Sequence, residues 1–125
     1  MKTKLIKGLR NFSRIPFDAE AQLHLHDETI SVRLVDIAFK GALVQTEVQQ
    51  VLGLEEKCRL ELPLTDGGEG LVMAGKIVHL EDRHVGIECQ DIDVISLTRL
   101  RRLIELNIGD VELMNRELKH LFAGS

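Results

Sequence analysis

Tryptophan and tyrosine are absent from this 125-residue chain, and phenylalanine occurs only four times. A core without large rings must be assembled from Leu, Ile and Val. Apolar residues make up 44% of the sequence, which fits one folded domain and argues against disorder. The same scarcity leaves few rings to stack on nucleic-acid bases. Long apolar runs are missing too. No stretch approaches the roughly 18 residues that span a bilayer. Leu5-Ile6 is the longest apolar run before Arg14, too short for the apolar segment of a signal peptide. The expectation is a soluble, cytoplasmic protein with no membrane partner.

Catalytic signatures are equally lacking: there is no G-x-S-x-G, no P-loop, no H-E-x-x-H and no C-x-x-C. No enzyme activity and no catalytic residue is expected. His24 and His26 share one strand face, but no third ligand stands at motif spacing, so two exposed histidines are expected rather than a metal site. Asp91 and Asp93 read as helix caps rather than as an acid–base pair. Cysteine occurs twice. Cys58 keeps step with Leu60 and Leu62, and Cys89 with Val85 and Ile87, which predicts buried reduced thiols. A disulfide between neighbouring strands is the alternative, although nothing in the sequence points to secretion.

Acidic residues are missing from the N-terminus. Lys2, Lys4, Lys7, Arg10 and Arg14 precede the first acid, Asp18, and the rest of the chain holds eleven basic residues against twenty acidic ones, a balance of −9. A basic arm on an acidic body binds something anionic or folds back on its own domain. The acidic body would repel long polyanions, so no nucleic-acid partner is expected.

Hydrophobic periodicity then orders the chain. Phe17 to Leu25 alternates, with Ala19, Ala21, Leu23 and Leu25 on one face. Thr29 to Val35 puts Ile30, Val32 and Leu34 inward. Asp36 to Gly41 reads as a turn, and Gly41 to Gln45 as a third strand. Gln49 to Leu54 reads as a connection and Lys57 to Leu62 as a strand ended by Pro63. Thr65 to Gly70 is a turn rich in residues that tolerate positive φ. Leu71 to Leu80 is apolar on both faces, and His84 to Gln90 closes the sheet. Six short antiparallel strands favour a closed barrel, which removes exposed edges. After Asp91 the period lengthens to three or four, which predicts an amphipathic helix through Leu106. A second helix is predicted from Asp110, with Val111, Met114, Leu118, Leu121 and Phe122 on one face. The fold expected is therefore α+β and mainly β. A flexible basic arm over 1–16 precedes a six-stranded antiparallel β-barrel with C-terminal α-helices over 17–125, the helices lying at about 92–122.

Two motifs stand out against this frame. Arg10-Asn11-Phe12-Ser13-Arg14 sets two arginines four residues apart. Asp36-Ile37-Ala38-Phe39-Lys40-Gly41 follows about twenty residues later. R-x-x-x-R followed by D-x-[S/A]-x-x-G resembles the PilZ family, whose members bind the bacterial second messenger cyclic di-GMP. Val85-Gly86-Ile87-Glu88-Cys89 is similar to the closing strand of such barrels, and the helical tail resembles that of stand-alone members.

The resemblance implies a ligand site made by Arg10, Arg14, Asp36, Ala38 and Gly41, with His79 where some members place a ring that stacks on guanine. Arginine suits such a ligand because its planar fork bonds phosphate oxygens or the O6/N7 edge of guanine in pairs, a contact of roughly 1–3 kcal/mol. The family residue at Ala38 is usually Ser. One lost hydrogen bond should weaken binding by roughly threefold to tenfold. The function implied is a cyclic di-GMP receptor or adaptor that signals to a protein effector in motility or biofilm regulation as its arm becomes ordered. The alternative is a degenerate PilZ domain that binds no nucleotide and acts as an adaptor.

Overall fold

Every second residue of Lys57–Pro63 is buried and the others are exposed, the pattern of a strand with one dry face. It is one of six strands in a computed structural model that describes residues 15–64 and 69–108. The strands are β1 (Ile15–His24), β2 (Thr29–Ala38), β3 (Gly41–Thr46), β4 (Lys57–Pro63), β5 (Gly70–Glu81) and β6 (His84–Ile92), and a helix, α1 (Val94–Ile108), follows them. They close into a barrel in the order β1-β2-β3-β6-β5-β4, every neighbour antiparallel. The seam between β4 and β1 is the shortest, with Gln22, Leu23 and His24 paired to Glu61, Leu60 and Arg59. His24 bridges it on the outside: Nε2 lies 2.8 Å from Glu61 Oε1, and Nδ1 lies 2.9 Å from Thr29 Oγ1.

The interior is aliphatic, as the missing rings require. Leu23, Leu34, Ile37, Leu60, Leu62, Met73, Ile77 and Ile87 are fully buried, and the ring of Phe39 is buried with them. Helix α1 packs along β5 and adds Leu100 and Ile104 to this core. Its start is tied down twice. Asp93 Oδ1 accepts the Ser96 N–H at 2.7 Å, the arrangement of an N-cap. Ser96 Oγ in turn accepts the Val72 N–H of β5 at 2.9 Å. One turn further on, Arg99 donates to the Gly70 carbonyl at 2.6 Å.

The mainly β barrel with a C-terminal helix is the architecture that the periodicity predicts, with three local corrections. First, Ile15 and Pro16 already belong to β1, although the expected arm runs to 16. Second, β2 does not stop at Val35: a register shift between Leu34 and Asp36 lets it continue to Ala38. The motif from Asp36 to Gly41 is therefore the tip of a hairpin whose turn is Phe39-Lys40 alone, not a six-residue turn. Third, Ile92 pairs with Met73 in β6 rather than starting the helix. The predicted second helix from Asp110 lies outside the described residues, as does the arm up to Arg14.

Cys58 and Cys89 are both free. Each is paired with Gly75, on opposite sides of β5. Two strand spacings place their Cα atoms roughly 8–10 Å apart around the barrel wall, beyond the ~7 Å that a disulfide tolerates.

Candidate functional site

The antiparallel register builds one lateral row across four strands. Asp36 of β2 is paired with Leu43 of β3, Leu43 with Gly86 of β6, and Gly86 with His79 of β5. Directly opposed residues share a face of the sheet. Ile37 and Ile87, the chain neighbours of Asp36 and Gly86, are fully buried, so this row belongs to the outer face. On β1 the row is continued by Pro16, and the preceding Ile15 is paired with Ile37. The chain that follows Arg14 thus runs in beside Asp36.

Each position has a local cause. Asp36 follows the β-bulge at Val35, which turns it outward just before the hairpin. It is half-buried, with Oδ1 shut off from solvent. Gly41 is required by backbone approach: a Cβ there would run into the Ile87 carbonyl oxygen and lie 3.2 Å from Glu88 Cα. Gly86 leaves space of another kind, since its Cβ would lie 2.8 Å from the Cβ of His79. His79 is half-buried, and its Nε2 lies 3.3 Å from Glu81 Oε1. Ala38, in step with Asp36 along β2, is fully buried.

Of the residues expected to form the site, the fold brings Asp36, Ala38 and Gly41 together in one hairpin and sets His79 in the same row as Asp36, three strands away. Arg10 and Arg14 lie outside the described residues. The nearby Arg33 is engaged with Asp18 across β1 and β2, and that hydrogen bond raises its pKa further. Leu43 and Gly86 complete the row and Glu81 approaches its His79 end; none of the three is a site candidate by sequence. Their only signal is strand pairing, which a single sequence does not display. Among the described residues, no group of three or more His, Cys, Asp or Glu side chains is placed to hold a metal ion. His24 is occupied by Glu61 and Thr29 instead. No helix among them is long and apolar enough to cross a membrane.

These elements make a small closed β-barrel with a helix on its flank and an outer row that runs from Asp36 to His79. The chain belongs to the PilZ family: the family model described as PilZ domain matches residues 8–106, a span that includes both motifs. Solved structures share the fold. The PilZ domain of CeSA from a cellulose-synthesizing bacterium aligns with a TM-score of 0.60 at 16% identity, covering 78% of this chain and 96% of that one. The Bacillus subtilis inhibitor of motility, MotI/DgrA, aligns with a TM-score of 0.62 at 17% identity over 75% of this chain and 50% of that one. A Legionella protein of uncharacterized function aligns with a TM-score of 0.52 at 18% identity, over 75% of this chain and 92% of that one. PilZ domains are generally binding and adaptor domains.

Proposed function

We propose that this protein is a cytoplasmic cyclic di-GMP receptor that reports ligand to a protein effector through its N-terminal arm. The observation that carries the reading is the outer row from Asp36 to His79, which begins where the chain after Arg14 joins the barrel. Arg10 and Arg14 supply the forks that phosphates and guanine edges take in pairs. Asp36 and Gly41 shape the hairpin beside them, and His79 offers a ring at the far end of the row. Ligand anions neutralise the arm's arginines and draw it over this face, which changes the surface that an effector meets. MotI/DgrA, named as an inhibitor of motility, makes motility one process in which such an effector would act.

Calorimetric titration with cyclic di-GMP, beside linear GMP and GTP, tests this. Selective binding that disappears in an Arg10→Ala/Arg14→Ala double variant is expected. Ala38 favours the second reading, an adaptor without nucleotide, because a buried methyl group stands where the family usually has a hydroxyl. Wild-type protein that binds none of the three nucleotides would establish that reading in place of the first.

A further inference from the structure

The connection between β3 and β4, residues 47–56, holds aliphatic side chains out in water. Val48, Val51 and Leu54 are 62%, 99% and 60% exposed. Single exposed aliphatics are ordinary, but these gather beside a groove. That groove, of about 200 Å³, opens between the connection and the β5–β6 turn, with Leu52, Leu80 and Val85 on its apolar side and Gln50, Glu81 and Asp82 on its polar side. Its volume suits one large apolar side chain of another molecule.

The shape is held by hydrogen bonds to the backbone rather than by the exposed aliphatic side chains. Glu55 donates its N–H to the Ile77 carbonyl at 2.6 Å, and Ile77 donates to the Glu56 carbonyl at 2.9 Å. Glu55 adopts a φ of 72° to do so. From the other side, the Gln49 amide donates to the Asp82 carbonyl at 3.0 Å. Acidic side chains outnumber basic ones around the groove. Glu47, Glu55, Glu56, Glu81 and Asp82 stand in these two segments against Arg83 alone. Arg83 is turned to the Glu47 carbonyl oxygen, Lys76 stands 2.8 Å from Glu55, and His79 Nε2 lies 3.3 Å from Glu81, which leaves Glu47 and Asp82 as the carboxylates open to a partner.

We infer that this face docks a basic amphipathic helix of a partner protein. One apolar side chain seats between Leu52 and Leu80, and lysines or arginines lie over Glu47 and Asp82. Helix-in-groove recognition uses this pairing of an apolar anchor with complementary charge at the rim. The same carboxylates repel an anionic membrane or a nucleic acid.

The test is to titrate the isotope-labelled full chain with a synthetic helical peptide of leucine and lysine, its leucines at i, i+3 and i+4, and with the leucine–glutamate counterpart. The lysine peptide is expected to shift the amide signals of Leu52, Leu80 and Val85, less so as salt rises, and the glutamate peptide to shift none. Val51→Lys, at a side chain the fold does not use, and Glu47→Lys are each expected to weaken binding of the lysine peptide. Shifts confined to α1 or to the Asp36 row, or equal binding of the two peptides, would overturn the proposal. So would concentration-dependent broadening of the groove signals without peptide, which would assign this face to a second copy of the chain.

Discussion

His79 and Gly86 face each other across β5 and β6, and a methyl group on Gly86 would stand 2.8 Å from the Cβ of His79. Real Cβ atoms do not approach so closely, so Gly86→Ala must push His79 aside or part the strands. Overpacking of this kind costs about 1–3 kcal/mol. If His79 contributes a ring to the ligand, Gly86→Ala lowers cyclic di-GMP affinity chiefly through that ring. A double-mutant cycle with His79→Ala then shows strong non-additivity in calorimetric affinities. Additive losses would mean that His79 takes no part in binding and that Gly86 serves the sheet alone.

Gly41 makes a sharper case, because its neighbour is backbone. The Ile87 carbonyl occupies the space a Cβ would need, and a carbonyl inside a paired strand has no rotamer by which to yield. Gly41→Ala is expected to destabilise the barrel by about 3 kcal/mol, more than Gly86→Ala, where a side chain can move. Urea denaturation checks the ranking. A wild-type midpoint for Gly41→Ala would refute the close approach of β3 and β6.

Strand positions were legible because alternation survives wherever the ladder is regular: Cys58, Leu60 and Leu62 are buried as their spacing predicts. Legibility stops at irregularities. The β-bulge at Val35 breaks the period of two, which is why Asp36 to Ala38 reads as turn although it is strand. The outer row from Asp36 to His79 was out of reach for a different reason. It depends on β3 pairing with β6 and β6 with β5, and neither the first of these pairings nor its register leaves a local mark on the sequence. Arg10 and Arg14 were the reverse case, readable as a motif while lying outside the described residues. His79 was singled out by resemblance; its approach to Glu81 and its seat against Gly86 are properties of the fold.

The two thiols give a prediction about pH. Burial is the main cause that pushes both Cys58 and Cys89 up to about 11 from an ordinary value of 9.0. A group whose pKa is raised by folding holds its proton more tightly in the native state. Its stabilisation is complete below pH 9 and is lost as the pH climbs towards 11. Unfolding midpoints measured between pH 8 and 10.5 should fall for the wild type and fall less for a Cys58→Ala/Cys89→Ala variant. Native protein should also react slowly with thiol reagents at pH 8 and form no internal disulfide under mild oxidation. Cys89 is only half-buried, so fast labelling of Cys58 is the result that would contradict burial.

The junction of α1 and β5 depends on a chain of three groups: the Val72 N–H bonds to Ser96 Oγ, and the Ser96 hydroxyl bonds to Asp93 Oδ2 at 3.1 Å. Ser96 is buried, so Ser96→Ala removes the acceptor of the Val72 N–H and should cost about 1–2 kcal/mol. Thr98→Ala, whose hydroxyl bonds the Val94 carbonyl on the exposed side of α1, serves as the control and should cost much less. Asp93 adds a pH signature. The Ser96 backbone N–H is the largest cause holding its carboxyl below the ordinary 3.8. A pKa lowered by folding gives stability that is present above 3.8 and is lost as the pH falls through the lower folded value. Asp93→Ala should therefore melt below the wild type at pH 7, and the gap should narrow in acid. A gap that stays constant down to pH 2 would mean that the charge of Asp93 does not hold this helix in place.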